Sequence, residues 1–304
     1  MSGRPKLQLA LVMLTMLSLA RGAAAASAPA RPIIVPAHAL TALLADPQRV
    51  VIDTRGDRAA FETQHLRGAR YLDWDAWDAK LDTSYAAGDA QWTAMLSALG
   101  LRHDSKILLY DDGRMGWSAL IWFALARLGA TDIQVVSTRA SLFLPTLPPA
   151  LTESGPPHPV TPSHEQWTLA GDNAPAVIGK ADVLALIAQP APLLFDNRSR
   201  EEYDGAPAAQ EDGLRSGHIP KSILLPRNLF FDDAGEPLPA SRVTAIMKSY
   251  GVEPKDAFAV TCRSGGRSSS IALILWEAGF RRVALYSGSW MQWGADRTLP
   301  AERR

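Results

Sequence analysis

The chain has 304 residues with 31 basic and 31 acidic side chains, a formal charge of zero, so it carries no electrostatic footprint for nucleic acid. It contains one cysteine, Cys262, which excludes an internal disulfide and leaves that thiol either an intermolecular partner or a free reactive group.

The N-terminus runs Met1-Ser2-Gly3-Arg4-Pro5-Lys6, then an apolar segment from Leu9 to Ala20, then Ala23-Ala24-Ala25-Ala26-Ser27-Ala28. A basic start, a short apolar stretch and a run of small residues form the pattern of a secretory signal, and the apolar part is shorter than the roughly 20 residues that a membrane span requires. Residues 1–26 are therefore expected to be a signal peptide cleaved near Ala26, with the mature protein periplasmic or secreted; an uncleaved N-terminal anchor is the alternative. No later apolar run reaches membrane length, so no membrane contact is expected after cleavage. Removing 26 residues from 304 leaves 278, enough for two domains of ordinary size.

From there the same order of elements occurs twice. In the first half, 40–44 predicts a short helix and 50–55 a buried strand ending in Asp53-Thr54-Arg55, followed by Gln64-His65-Leu66-Arg67-Gly68-Ala69. Next come a helix closed at Gly100, a strand over 106–110, a long apolar helix over 118–128 closed by Gly129, and a strand over 133–136. Proline then concentrates between Pro145 and Pro162, which reads as a semi-rigid linker with no element of its own. In the second half the order returns: a helix at 183–187, a strand ending in Asp196-Asn197-Arg198, then Gly217-His218-Ile219-Pro220. A helix closed at Gly251, a strand over 257–261, a helix over 270–278 closed by Gly279, and a strand over 283–286 complete it. An extra stretch, 205–215, lacks apolar periodicity and reads as a loop. Strands that are continuous apolar runs and alternate with helices predict an α/β fold. The expectation is two such domains, 33–143 and 164–304, each a mainly parallel sheet flanked by helices on both faces, joined by the linker 144–163.

The stretch Val260-Thr261-Cys262-Arg263-Ser264-Gly265-Gly266-Arg267-Ser268 places the cysteine between a buried strand and a helix start. Two glycines let successive N–H groups turn inward, and the helix N-terminus, Arg263 and Arg267 add positive charge. Each of these favours thiolate over thiol. A lone cysteine is ordinarily a small core residue, but a core position would not need two glycines, two arginines and two serines around it. The six histidines are scattered and match no metal-ligand spacing, so no metal or cofactor is expected.

With Asp196-x-Arg198, Gly217-His218-Ile219-Pro220, the loop from Cys262 to Arg267 and Gly288-Ser289-Trp290-Met291-Gln292-Trp293-Gly294, the chain resembles the tandem-domain rhodaneses, the thiosulfate and 3-mercaptopyruvate sulfurtransferases. The resemblance extends from about Val35 to Pro300. It implies that only the C-terminal domain is active and that the first half is a scaffold forming one wall of the cleft. Aligning Tyr110 with Thr261 puts Asp111 in the place of Cys262, so Asp111 is assigned no chemistry and its removal is expected to leave most activity. The resemblance further implies a Cys262 persulfide, with Arg263, Ser264, Gly265, Gly266, Arg267 and Ser268 holding the donor and the transferred sulfur. Thiosulfate is the implied donor, because arginine follows the cysteine where mercaptopyruvate enzymes have glycine. Cyanide or a thiol is the implied acceptor. Glu202 and Glu211 stand where mercaptopyruvate enzymes are expected to carry carboxylate-binding arginines, and an acid there repels a carboxylate donor.

Three alternatives are weighed against this. A mercaptopyruvate donor is one. A phosphatase is another, but related phosphatase loops place five residues between cysteine and arginine, whereas Cys262 and Arg267 are separated by four. The third is a non-catalytic periplasmic sulfur-carrier or binding module. His218, matched by His65 in the half without a nucleophile, reads as a residue fixing a turn. The two Asp-x-Arg pairs read the same way, and Trp290 and Trp293 read as core or cleft-wall aromatics.

Overall fold

A computed structural model of the chain describes residues 31–77, 89–171, 174–206 and 214–303. The expected signal peptide and Glu211 lie outside the described residues. In chain order the first half contains β1 (Ile34–Val35), β2 (Arg49–Asp53), β3 (His65–Leu66), β4 (Arg70–Tyr71), β5 (Lys106–Tyr110) and β6 (Ile133–Val136). All but β3 form a parallel sheet in the order β1-β6-β5-β2-β4. After the connecting segment, where β7 (Thr152–Glu153) lies, the second half adds β8 (Ala176–Val177), β9 (Leu194–Asp196), β10 (Ile223–Leu224), β11 (Phe258–Thr261) and β12 (Val283–Leu285). These make a second parallel sheet, β10-β9-β11-β12-β8. The central strands are apolar and buried on both faces, as strands covered by helices on both sides must be. In both sheets the aspartate of the Asp-x-Arg motif ends its strand beside the last residue of the central strand: Asp53 pairs with Tyr110 and Asp196 with Thr261.

Each central strand leads into a 12-residue apolar helix, Gly116–Arg127 in the first half and Gly266–Glu277 in the second. These two helices pack against each other, with the Trp122 and Trp276 rings edge to face at 5.9 Å. They meet at their glycine ends, where a Cβ on Gly116 would stand 3.4 Å from the Gly266 carbonyl oxygen. Leu109, Ile121 and Phe123 of the first half and Phe195, Val260 and Ile271 of the second belong to one continuous apolar cluster. Fully burying a side chain of this size contributes about 1.5–3 kcal/mol, so the junction between the halves is packed like a core. The outer face of each sheet has its own smaller cluster, around Phe61 and Tyr110 in the first half and around Tyr286, Trp290 and Trp293 in the second.

The helix after Cys262 begins at Gly266, four residues earlier than periodicity predicts. The first turn is polar and so carries no apolar period to read, and its Ser269 and Ser270 hydroxyls bond back to the carbonyls of Gly265 and Arg267.

The proline-rich segment departs from the expectation of a linker without elements. It forms 3-10 turns at Leu144–Thr146 and Pro149–Leu151, with proline pre-setting φ at the start of each. β7 then pairs antiparallel with β3. The Arg67 guanidinium fastens this stretch by donating to the carbonyls of Pro149, Ala150 and Thr152. Ser163 bonds the Ser97 and Leu101 carbonyls, and Ala170 bonds Arg127, so the chain stays on the first half as far as residue 170.

Candidate active site

Cys262 follows the last residue of β11, so the strand end fixes the position of its sulfur. It is 1% exposed. The backbone N–H of Gly265 donates to Sγ at 3.2 Å. Only glycine serves at 265: φ is +92°, and a Cβ would lie 2.6 Å from the Ser287 carbonyl oxygen. The residues expected to cradle the sulfur fall into two groups. Arg263, Ser264 and Gly265 form the turn itself, whereas Gly266, Arg267 and Ser268 are the first turn of the helix, whose N–H groups have no acceptor within the helix. The dipole of that helix therefore favours an anion on the sulfur.

The far side of the turn is held by residues that sequence reasoning gave no role. Ser289, with a left-handed φ of +50°, accepts the Cys262 N–H on its hydroxyl oxygen at 3.1 Å and stands 2.8 Å from the Tyr286 carbonyl. Sγ is 3.9 Å from the same hydroxyl. The next two N–H groups, of Trp290 and Met291, donate to the carbonyls of Cys262 and Arg263. Asn197 joins three parts of the site. Its N–H donates to the Thr261 carbonyl, its Oδ1 meets the Ser268 hydroxyl at 2.9 Å, and its carbonyl receives the Arg227 N–H. The stretch Gly288-Ser289 ahead of a helix was a visible signal of a tight turn; Asn197 and Arg227 had none.

Arg267 makes a bidentate salt bridge to Glu202, at 2.6 and 2.7 Å. Burial raises the Glu202 carboxyl, but the hydrogen bond and charge of Arg267 outweigh it and hold the group at about 2. Arg267 is burdened by desolvation too, yet the same contact and the nearby Cys262 push its guanidinium above the ordinary range. The charge of Glu202 is thus cancelled, and the repulsion of a carboxylate donor expected from that residue is lost. Arg263 is half-buried and lines a narrow crevice with Glu202, Arg215 and Trp290, while Ser264 is exposed.

Asp111 occupies the matching position after β5. Its carboxylate accepts four backbone N–H groups, from Gly113 and Met115 on one oxygen and Trp117 and Ser118 on the other, at 2.8–3.0 Å. Burial raises this carboxyl above its usual value, and the N–H donors offset part of the rise. The first half thus keeps the cradle and fills it with its own anion. The clamped turn then presents the Gly113 and Arg114 carbonyls to the Arg227 guanidinium of the second half. Asp111 therefore organises a wall of the site, through backbone it holds and not through chemistry of its own.

The remaining motif residues are structural. His218 places Nδ1 2.8 Å from the Tyr203 carbonyl, which fixes the Nδ1–H tautomer, and stacks on the Tyr203 ring at 3.7 Å. His65 does the same with Phe61. Asp196 and Arg198 form a buried pair at 2.7 Å that also reaches the Gly217 carbonyl, repeated by Asp53, Arg55 and Gln64. Trp290 lies under Arg198 at 4.8 Å.

The model of the rhodanese-like domain matches the chain twice, over residues 36–138 and 180–296. A thiosulfate sulfurtransferase of Corynebacterium glutamicum is 27% identical over 285 residues, covering 88% of this chain and 90% of that protein. The sulfur carrier protein TtuD of Thermus thermophilus is 27% identical over 262 residues, covering 83% and 90%. Among solved structures, SseA of Escherichia coli, described as a 3-mercaptopyruvate sulfotransferase with the rhodanese fold, superposes with a TM-score of 0.66 at 22% identity, covering 86% of this chain and 99% of its own.

Proposed function

The chain belongs to the family of proteins with rhodanese-like domains, and on that premise we propose that it is a sulfurtransferase that carries sulfane sulfur from thiosulfate to a thiol or cyanide through a persulfide on Cys262. The observation that carries this reading is the sulfur of the only cysteine held at the end of a central strand, with the Gly265 N–H aimed at it.

The Cys262 thiolate attacks the outer sulfur of thiosulfate. The Sγ–S bond forms, the S–S bond of thiosulfate breaks, and sulfite leaves as a dianion with the electron pair. The negative charge comes to rest on the terminal sulfur of the persulfide. Loop and first-turn N–H groups from Arg263 to Ser268 stabilise it as fixed donors stabilise an oxyanion. An acceptor thiolate or cyanide then attacks that terminal sulfur and restores the Cys262 thiolate, giving a two-step ping-pong cycle. Written with a thiolate as the attacking group, the step needs no general base. The names of the thiosulfate sulfurtransferase and sulfur carrier relatives support the class of chemistry, and Arg263 directly after the cysteine supports thiosulfate over mercaptopyruvate.

Intact mass after incubation with thiosulfate tests the proposal. A gain of one sulfur atom that is absent in Cys262→Ser is expected; an unchanged wild-type mass refutes it. The basic, apolar and small-residue pattern of residues 1–26 supports export, and sequencing of the mature N-terminus is expected to start near Ser27. A soluble cytoplasmic protein retaining Met1 would contradict export.

A further inference from the structure

We propose that Arg227 is the anion-selecting residue of this site: a guanidinium provided by the second half, pinned by the first and engaged in no salt bridge among the described residues, that selects a doubly charged sulfur donor at Cys262 over a singly charged one. The inference rests on the reading of Cys262 as the sulfur-accepting nucleophile and adds to it the charge class of the donor.

Arg227 starts the 3-10 turn Arg227–Phe230, right after Pro226. Its N–H is tied to the Asn197 carbonyl, and Asn197 is itself bonded to Thr261, the residue before Cys262, and to Ser268 in the first turn after it. The side chain reaches across the junction of the halves, where Nη2 donates to the carbonyls of Gly113 and Arg114. Its guanidinium also lies over the Phe231 ring at 5.2 Å, a ring it shares with Arg114 at 5.7 Å. The Nε–H is buried with no acceptor among the described residues, which is an unusual state for a charged donor.

These contacts hold the group without neutralising it, because carbonyls and an aromatic face accept from a guanidinium but carry no net charge. Arg267 differs, since Glu202 cancels it. Among the described residues Arg227 makes no salt bridge; burial lowers its pKa to about 10, with Asp111 and Cys262 as the anions that act in the other direction and Arg114 and Arg267 as opposing cations. It stays protonated at neutral pH. Asp111 keeps its charge but is clamped in its own turn by four N–H groups and forms no salt bridge with Arg227 among the described residues, so the unpaired Nε–H is left for an anion arriving at the sulfur. A charge fixed before the donor arrives, with an unused N–H, favours a second negative charge on the incoming group, as thiosulfate has.

The test compares thiosulfate, a dianion, with an alkanethiosulfonate, a monoanion that offers the same outer sulfur, on the wild type, Arg227→Met and Arg227→Lys. Arg227→Met is expected to raise the KM for thiosulfate at least tenfold while changing that for the thiosulfonate less than threefold, and Arg227→Lys or added guanidinium ion should recover part of the loss. A merely structural brace predicts an equal loss with both donors and no recovery, and that result overturns the proposal. Calorimetric binding of thiosulfate to Cys262→Ser, with and without Arg227→Met, separates the two readings, since it needs no chemistry. Unchanged affinity refutes the role of Arg227 even if sulfur transfer is confirmed. A tenfold weaker affinity supports it even if transfer fails.

Discussion

Glu202→Gln removes one charge from the bridge to Arg267 and leaves its shape, so it isolates the electrostatics of the pair. A carboxyl held at about 2 in the folded chain against an ordinary 4.5 corresponds to about 3 kcal/mol of stabilisation at neutral pH. The two side chains are 29% and 17% exposed, and discounting for solvent screening leaves about 2 kcal/mol. Because the carboxyl is depressed by folding, its contribution is complete above pH 4.5 and fades as the pH falls towards 2. Urea unfolding of the wild type, Glu202→Gln and Arg267→Gln at pH 7 and again at pH 3 to 4 measures this. At pH 7 both variants are expected to lose about 2 kcal/mol, with a double mutant losing much less than the sum. At the lower pH the gap between wild type and Glu202→Gln should shrink. Equal stability of Glu202→Gln and wild type at pH 7, or a gap that widens on acidification, would refute a stabilising role for the Arg267–Glu202 salt bridge.

Arg263→Gly is expected to raise the KM for thiosulfate by about tenfold to a hundredfold, the loss of one charge-assisted hydrogen bond of about 1.5–3 kcal/mol, with little change in Tm; early melting at an unchanged KM would make Arg263 structural. Asp111→Ala strands four N–H groups and should lower stability by about 3 kcal/mol or more, seen in urea unfolding, and should raise the thiosulfate KM because the carbonyls holding Arg227 lose their anchor. Gly265→Ala places a Cβ 2.6 Å from a backbone oxygen at φ +92°, so a fall in Tm and loss of persulfide formation, read by intact mass, are expected; a stable, active variant would show that the turn at 265 is not required.

The duplicated architecture was legible because its signals are local. Buried strands announce themselves by unbroken apolar runs, and 106–110 and 258–261 lie within a residue of their predicted spans. The two-residue strands β1 and β8 were not legible, since two residues carry no period and only the neighbouring strand makes them strands. The Cys262 turn could be read from its glycines. Arg227 could not, because its partners Gly113 and Arg114 are 114 and 113 residues away in sequence and Pro226-Arg227-Asn228 resembles any turn. Arg267 shows a subtler limit: an arginine in the first turn of a helix beside a nucleophile suits an anionic donor or a nearby acid equally, and only the position of Glu202 decides.

Trp122 and Trp276, edge to face across the two long helices, lie in an apolar cluster that passes from one half to the other without a break. A half expressed alone would turn that surface to water, and it would aggregate or seek a copy of itself. The first half, with Asp111 where the second has Cys262, is therefore held to its long helix by packing. Solvent thus keeps the two halves together: a fragment encoding only the half with Cys262 loses the wall it folds against.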